Sequence, residues 1–166
     1  MDFFSKEGLL FVVEIDHISG ECAGAAISRF YDVGASNVQA ISALTKKNRP
    51  SYVFLIDCKP QHADAIENVI TTELSTGGWH KIQTEHRYIK NEIIPKNIRL
   101  KHNCQKYDFT AHGKLFDSGC IRPEHDSIEA LRDFAKNKLS KNITYTEAYS
   151  MISAALLCDS SCEFKI

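Results

Sequence analysis

Strand-like and helical segments alternate over the first half of the chain in the order β-α-β-β-α-β. Leu9–Ile15 is apolar and rich in Val and Ile and predicts a central strand, and Val38–Ala43 and Tyr52–Cys58 predict a second and a third. Trp79–Tyr88 predicts a fourth, which places His80, Ile82, Thr84 and His86 on one side. This order is that of the split βαβ, or ferredoxin-like, pattern. We therefore predict a four-stranded antiparallel sheet with two helices on one of its faces.

Capping and breaking residues mark the two helices between these strands. The first is predicted over Gly20–Val33, with Ser19 as its N-cap and Gly34 as the residue that ends it. The second follows Pro60 and is predicted to end at Gly77-Gly78. Its apolar face consists of four residues at helical spacing: Ala63, Ile66, Ile70 and Leu74.

The second half of the chain predicts a smaller α+β extension. Glu92–Lys101 and Lys106–Leu115 are weak strands that predict a β-hairpin, in which Pro95 disfavours a central position for the first strand. Two helices follow the hairpin. The predicted class is therefore α+β, with a ferredoxin-like domain over residues 1–90 and a small extension over residues 91–166 packed with it.

The two helices of the extension have different start signals. The first follows Arg122-Pro123 and is predicted to be capped by Asp126 or Ser127. The second begins at Thr144, where Thr144 and Glu147 have the spacing of a capping box.

Charge and cysteine content exclude several classes of partner. The formal net charge is -1, from 20 basic and 21 acidic residues, so we expect no nucleic-acid partner. The start of the chain does not resemble a signal peptide, and its apolar runs are too short to span a bilayer, so we expect a cytoplasmic protein without a membrane partner. The six cysteines are expected to be reduced, with Cys158 and Cys162 in a polar C-terminal tail.

The predicted topology brings three polar segments to one rim of the sheet: the end of the first strand at Asp16, the turn between strands two and three, and the end of the second helix near Glu73. In the turn, Lys46, Lys47 and Arg49 offer cationic donors for phosphate oxygens, and Asn48 and the turn backbone offer N–H donors. The carboxylates Glu14, Asp16 and Glu73 suit a hard divalent cation. The rim therefore has the residue types that bind a nucleoside triphosphate with its metal ion.

A simpler interpretation of the same residues stays open. A Lys-Lys-Asn-Arg turn is also typical of a solvated surface hairpin, and Asp16 is also a common choice for a turn or a helix cap. The sequence contains no P-loop and no recognisable nucleophilic triad, so the catalytic residues are unknown.

Four segments, in the same order, are similar to the family of nickel insertion proteins that complete the nickel-pincer nucleotide cofactor of lactate racemase. Lys46–Pro50 stands as the family has it, in the turn before a hydrophobic strand. Ile15–Ser19, Glu73–Gly78 and Ile121–Asp126 are similar to other motifs of the C-terminal part of that family. The chain departs from the family at His17, where Asp is usual, and at Glu14, which replaces Asn.

The resemblance implies a site and its ligands. The implied ligands are CTP with Mn²⁺ or Mg²⁺, the pyridinium bisthiocarboxylate mononucleotide precursor, and nickel as the substrate metal. The implied metal ligand is Asp16, and from the chemistry of the rim we add His17 and Glu73 as predicted metal ligands. The implied nucleotide-binding residues are Lys46, Lys47, Asn48, Arg49, Thr76 and Arg122.

Two functions are compatible with this resemblance. The first is a nickel insertase (a metal-chelating lyase), or one part of it, that forms a homo-oligomer and works with a separate N-terminal portion. The alternative is a non-catalytic ferredoxin-like module that binds a nucleotide or metabolite and scaffolds or regulates a partner.

Overall fold

The computed structural model describes residues 2–158 and 162–166, and the chain divides into two compact units. One unit comprises Ser5–Arg87, and the other comprises Tyr88–Ile166 with the start of the first strand. Each contains helices and a sheet, which confirms the predicted α+β class. The domain limits of 1–90 and 91–166 stay a prediction.

The first unit has the predicted β-α-β-β-α-β order. β3 pairs antiparallel with both β1 and β2, so the hairpin predicted from the two apolar segments is confirmed. The strand order across the sheet is β2-β3-β1-β4, and a 3₁₀ turn at Pro60–His62 precedes the second helix. The elements are β1 (Phe3–Ile15), α1 (Gly20–Asp32), β2 (Ala35–Leu44), β3 (Pro50–Cys58), α2 (Ala63–Glu73) and β4 (His80–Ile89).

Alternating residues of the two central strands form the core of this unit. Phe11, Val13 and Ile15 of β1 and Phe54 and Ile56 of β3 are all buried against the two helices. Burial of a large apolar side chain stabilises the fold by about 1.5–3 kcal/mol. The C-terminal end of β1 and the start of β3 are therefore held firmly where the predicted rim lies.

The two helices of this unit end differently from each other. α1 follows the prediction, because the Ser19 hydroxyl accepts a hydrogen bond from the Cys22 N–H at 3.2 Å and Gly34 has a φ of 101°. The prediction that Gly77-Gly78 ends α2 was wrong. α2 ends at Glu73, and Ser75 adopts the left-handed conformation, with a φ of 50°. The side chain of Leu74 is fully buried, so the chain turns directly after it.

The second unit is a four-stranded sheet with two helices on one face. Ile98, Leu100 and Ala111 point from the sheet into a core completed by apolar residues of the helices. The strand order is β7-β6-β5-β8, in which β8 runs parallel to β5. The elements are β5 (Asn91–His102), β6 (Gln105–Phe116), β7 (Ile121–Pro123), α3 (His125–Leu139), α4 (Tyr145–Leu157) and β8 (Cys162–Lys165).

Two predictions for this unit need correction. Cys162 belongs to a strand, β8, and not to a polar tail; β8 is too short for its alternation to be recognised. α3 begins at His125 after Glu124, so neither Asp126 nor Ser127 is its cap. Ser127 is buried, and its hydroxyl accepts a hydrogen bond from the His112 N–H at 2.8 Å, which ties the helix to β6.

The hairpin of β5 and β6 and the capping box of α4 agree with prediction. Pro95 lies in β5 opposite His112, and β8 pairs with β5 only over Ile98–Lys101, so the missing N–H of Pro95 disturbs no bond to β8. The capping box between Thr144 and Glu147 is present. Within the described residues, every helix is too short or too polar to cross a bilayer.

Candidate functional site

An open cavity of about 530 Å³ lies where β1 ends beside the turn between β2 and β3. Glu14 and Asp16 line it from β1, and Lys46, Lys47 and Arg49 line it from the turn. The antiparallel pairing of β1 with β3, in which Ile15 lies opposite Tyr52, places the residue after β1 close to the residue before β3. The cavity therefore combines carboxylates and cations from segments far apart in sequence.

An ion pair joins the two sides of this cavity. Arg49 Nη2 donates a hydrogen bond to Asp16 Oδ2. The Asp16 side chain is 23% exposed and that of Arg49 is 55% exposed, so the pair lies partly in contact with solvent. The pairing holds the Arg49 guanidinium at the mouth of the cavity while leaving much of it accessible to a ligand.

Thr45 organises the turn that carries the cations. Its N–H donates to the Arg49 carbonyl at 3.0 Å, and its carbonyl accepts from the Asn48 N–H at 2.9 Å. Its hydroxyl accepts from the N–H groups of Lys47 and Arg49. Asn48 has a φ of 58°, a conformation that Asn tolerates better than most residues. The N–H groups of Lys47, Asn48 and Arg49 are thus used inside the turn, which contradicts the prediction that they are available to a phosphate.

The two lysines of the turn are its available cations. The side chains of Lys46 and Lys47 are exposed, and neither ammonium group forms an ion pair within the part of the chain that the structure describes. Two ammonium groups beside a guanidinium give the cavity mouth a local positive charge, despite the near-neutral chain. An anionic group with several oxygens fits this arrangement best.

His17 connects the end of α2 to the same rim. Its Nε2 lies 3.1 Å from the carbonyl oxygen of Leu74, and its Nδ1 lies 3.9 Å from Asp16 Oδ1. The first distance is that of a hydrogen bond donated by the imidazole; the second is too long for one. The predicted convergence of the three polar segments is therefore observed, with His17 as the link.

The predicted metal ligands do not form a ready cage. Among the described residues, no group of three His, Cys, Asp or Glu side chains is arranged to hold a metal ion. Asp16 is paired with Arg49, His17 with the Leu74 carbonyl, and Glu73 is an exposed residue at the end of α2. The assignment of these three residues to a metal stays a prediction, and the contact of His17 with the Leu74 carbonyl favours a structural role for that residue.

The remaining predicted nucleotide-binding residues lie outside the lining of this cavity. The hydroxyl of Thr76 lies 3.3 Å from the Gly78 carbonyl oxygen, within the segment that follows α2. Arg122 belongs to the other unit, where its guanidinium carbon lies 5.2 Å from the centre of the Phe116 ring. Thr45 is a contributor that the sequence analysis missed, although a Thr at the start of a polar turn is a known signal for such hydrogen bonding.

Two solved structures share this architecture. The apo form of LarC2, described as the C-terminal domain of a cyclometallase involved in the synthesis of the NPN cofactor of lactate racemase, matches with a TM-score of 0.74 and 16% identity, over 92% of this chain and 99% of that chain. A protein from Methanopyrus kandleri AV19 matches with a TM-score of 0.60 and 15% identity, over 98% of this chain and 94% of that chain. The two TM-scores show that the three structures share a fold.

Sequence comparison identifies the family. The model of the family described as nickel insertion protein matches residues 4–141, so the chain belongs to the nickel insertion protein family. A putative nickel insertion protein of Methanosphaera stadtmanae is 30% identical over 140 residues, which cover 80% of this chain and 33% of that protein.

A second relative is named more specifically. The pyridinium-3,5-bisthiocarboxylic acid mononucleotide nickel insertion protein of Acetivibrio thermocellus is 28% identical over 144 residues, covering 86% of this chain and 32% of that protein. The chain therefore spans about a third of the length of these relatives.

Proposed function

We propose that this chain binds CTP, with Mn²⁺ or Mg²⁺, at the cavity between β1 and the β2–β3 turn, and that it does so as the nucleotide-binding part of a nickel insertase for the nickel-pincer cofactor. The observation that supports this proposal is the pair of available ammonium groups beside the Arg49–Asp16 pair at one cavity mouth. Membership of the nickel insertion protein family supports the reaction class.

The triphosphate competes with Asp16 for Arg49. When its oxygens accept hydrogen bonds from Arg49, Lys46 and Lys47, the Asp16 carboxylate loses its cationic partner. The carboxylate is then free to bind the divalent ion that accompanies the nucleotide, since such ions keep phosphate oxygens, waters and one or two carboxylates as ligands. The Asp16–Arg49 pair thus supplies both a phosphate donor and a metal ligand.

Nickel is the substrate metal in this proposal. Nickel favours sulfur and imidazole ligands, and the precursor named in the relatives carries two thiocarboxylate groups of its own. A protein can therefore serve the insertion by holding the precursor and the nucleotide, without a cysteine cage. The proposal also includes a separate N-terminal portion and a homo-oligomeric state as parts of the active assembly, as the resemblance to the family implies.

The same cavity with its exposed ammonium groups also fits one alternative, a nucleotide-binding module without catalytic activity. In that case the chain binds CTP at the same cavity and regulates or scaffolds a partner. Both functions include the binding of CTP at this cavity. They differ in whether nickel is inserted into the precursor.

A reconstitution distinguishes these functions. The chain is mixed with the mononucleotide precursor, Ni²⁺, Mn²⁺ and CTP, with and without a separately supplied N-terminal portion, and the nickel-containing product is measured by mass spectrometry. We expect product only when both parts are present. Full activity from this chain alone would contradict the proposed need for a separate N-terminal portion. CTP binding without product in either mixture would favour the non-catalytic nucleotide-binding module.

A further inference from the structure

Glu14 is a carboxylate of the cavity that has no partner within the described part of the protein. The residue is exposed, it lines the cavity from β1, and it forms no hydrogen bond or ion pair within residues 2–158 and 162–166. Asp16, the other carboxylate of the lining, is paired with Arg49. Glu14 therefore brings an uncompensated negative charge into a cavity that is proposed to bind an anionic ligand.

Strand β1 holds this carboxylate in place. Glu14 belongs to the antiparallel ladder between β1 and β3, and its neighbours Val13 and Ile15 are buried in the core of the first unit. Because successive side chains of a strand point to opposite faces, that of Glu14 points to the face of the sheet away from the helices. Glu14 precedes Asp16 by two residues, which span at most about 7 Å of chain. The carboxylate is therefore close to the Arg49–Asp16 pair, on a strand that the core anchors.

The triphosphate of a nucleotide does not suit Glu14 as a partner. Phosphate oxygens and a carboxylate repel each other, because both carry negative charge and both are hydrogen-bond acceptors. The ribose and the base are neutral and carry O–H and N–H donors, and a hydrogen bond to an ionised acceptor is stronger than one between neutral groups. Leu44 lines the same cavity, is 71% exposed and offers an apolar surface to a base. Charge and polarity therefore direct the nucleoside part of the ligand to Glu14.

The residue type at this position affects selectivity. The chain has Glu14 where Asn is usual in the family that it resembles. The amide of Asn donates and accepts hydrogen bonds, so it can face either a donor or an acceptor, whereas an ionised carboxylate only accepts. Glu14 therefore requires a donor on the ligand and disfavours an acceptor at the same place.

We infer that Glu14 recognises the nucleoside part of the nucleotide by accepting a hydrogen bond from a neutral donor, either the exocyclic amino group of cytosine or the ribose 2′-hydroxyl. The inference rests on the proposed function, because it requires a nucleotide in this cavity. It divides the cavity by charge. Lys46, Lys47 and Arg49 bind the triphosphate, and Glu14 with Leu44 binds the nucleoside.

Inorganic tripolyphosphate provides the comparison that tests this division, because it carries three phosphates and no nucleoside. CTP and tripolyphosphate are each titrated calorimetrically, with Mn²⁺, into the unsubstituted chain and into Glu14→Ala. We expect Glu14→Ala to weaken CTP binding about tenfold, from the loss of a hydrogen bond to a charged acceptor. Tripolyphosphate should bind equally or more tightly, because the variant removes a negative charge. Glu7→Ala, at the other end of β1, removes an exposed carboxylate outside this cavity and should leave both affinities unchanged.

UTP and dCTP identify the donor group. UTP lacks the exocyclic amino group, and dCTP lacks the ribose 2′-hydroxyl. The nucleotide without the donor should bind about tenfold more weakly than CTP to the unsubstituted chain and as well as CTP to Glu14→Ala. If UTP and dCTP both bind the unsubstituted chain with the affinity of CTP, Glu14 accepts from neither group and the inference is wrong.

Two further outcomes separate this inference from the proposed function. Equal losses of CTP and tripolyphosphate affinity in Glu14→Ala would overturn the inference and leave the nucleotide site in place, with Glu14 acting on the metal that accompanies the phosphates. Failure of both ligands to bind the unsubstituted chain would overturn the proposed function and the inference with it.

Discussion

The Arg49 guanidinium donates a hydrogen bond to the Asp16 carboxylate, although 33 positions separate the two residues in the chain. Their partner strands explain the contact, because β1 ends at the same level at which the antiparallel β3 begins. The pair is partly exposed, so an anion that reaches the cavity can compete for Arg49. The proposed nucleotide site depends on this exchange of partners.

Replacement of Asp16 by Asn should have opposite effects with and without metal. Without a divalent ion, Asp16→Asn removes the carboxylate that competes for Arg49, so CTP should bind as tightly as to the unsubstituted chain or more tightly. With Mn²⁺ the variant lacks a proposed metal ligand, and affinity should fall about tenfold, or about 1.4 kcal/mol. Calorimetric titration with and without Mn²⁺ measures both, and Asp32→Asn, at the far end of α1, is the control. Equal losses in both conditions would show that Asp16 does not hold the metal.

The two lysines of the turn should contribute less than Arg49. Lys46→Ala and Lys47→Ala each remove an exposed ammonium group, whose attraction to phosphate is screened by salt, so each should weaken CTP binding by roughly threefold. The loss should shrink as the salt concentration rises. Lys59→Ala removes an equally exposed lysine directly after the other end of β3 and should leave binding unchanged. A comparable loss in Lys59→Ala would indicate a general charge effect and no defined site.

His17 is expected to act through structure more than through the metal. His17→Ala removes the hydrogen bond to the Leu74 carbonyl, and the free energy of unfolding should fall by about 1 kcal/mol. Affinity for CTP with Mn²⁺ should change by less than about threefold, under 1 kcal/mol. Urea unfolding and calorimetry measure the two quantities, and His80→Ala, at the exposed start of β4, is the control. Unchanged unfolding together with a loss of affinity as large as that of Asp16→Asn would make His17 a metal ligand instead.

The capping box of α4 predicts part of the pH dependence of stability. The backbone N–H of Thr144, followed by its hydroxyl, holds the pKa of Glu147 below its usual value. A carboxyl group with a lowered pKa in the folded state stabilises the protein above its unfolded pKa, and this stabilisation is lost as the pH falls through the folded pKa. Glu147→Gln should therefore be less stable than the unsubstituted chain at neutral pH and lose less stability on acidification. Thermal unfolding across the acid range tests this, and identical acid profiles would contradict it.

Much of the first unit could be predicted because periodicity and capping agree there. The apolar runs of β1 and β3 and the helical spacing in α1 reflect burial in the core, which the sequence records directly. Two wrong predictions, for the end of α2 and the cap of α3, failed because of long-range contacts. Because Leu74 is buried, the chain turns at Ser75 and not at Gly77. Because the Ser127 hydroxyl accepts a hydrogen bond from the His112 N–H, it does not cap α3. Such contacts leave no local pattern in the sequence.

The sequence predicted where the candidate site lies better than it predicted which groups are available there. Topology alone predicted that Asp16, the turn and the end of α2 meet at one rim. Two details depend on side-chain and backbone geometry within a few ångströms. They are the hydrogen bonds of Thr45 inside the turn and the hydrogen bond from His17 to the Leu74 carbonyl. Pattern and spacing do not encode that geometry, and so the backbone donors and the metal ligands were the least secure part of the prediction.

Calorimetric titration of CTP with Mn²⁺ into Arg49→Ala tests the central claim most directly. Arg49 is proposed to donate to the triphosphate, and the loss of a charge-assisted hydrogen bond should weaken binding at least tenfold, or by about 1.4 kcal/mol or more. Arg29→Ala removes an arginine that is also paired with an aspartate and similarly exposed, but lies at the far end of α1, and it should bind like the unsubstituted chain. If Arg49→Ala and Arg29→Ala bind CTP with the affinity of the unsubstituted chain, the nucleotide does not bind at this turn.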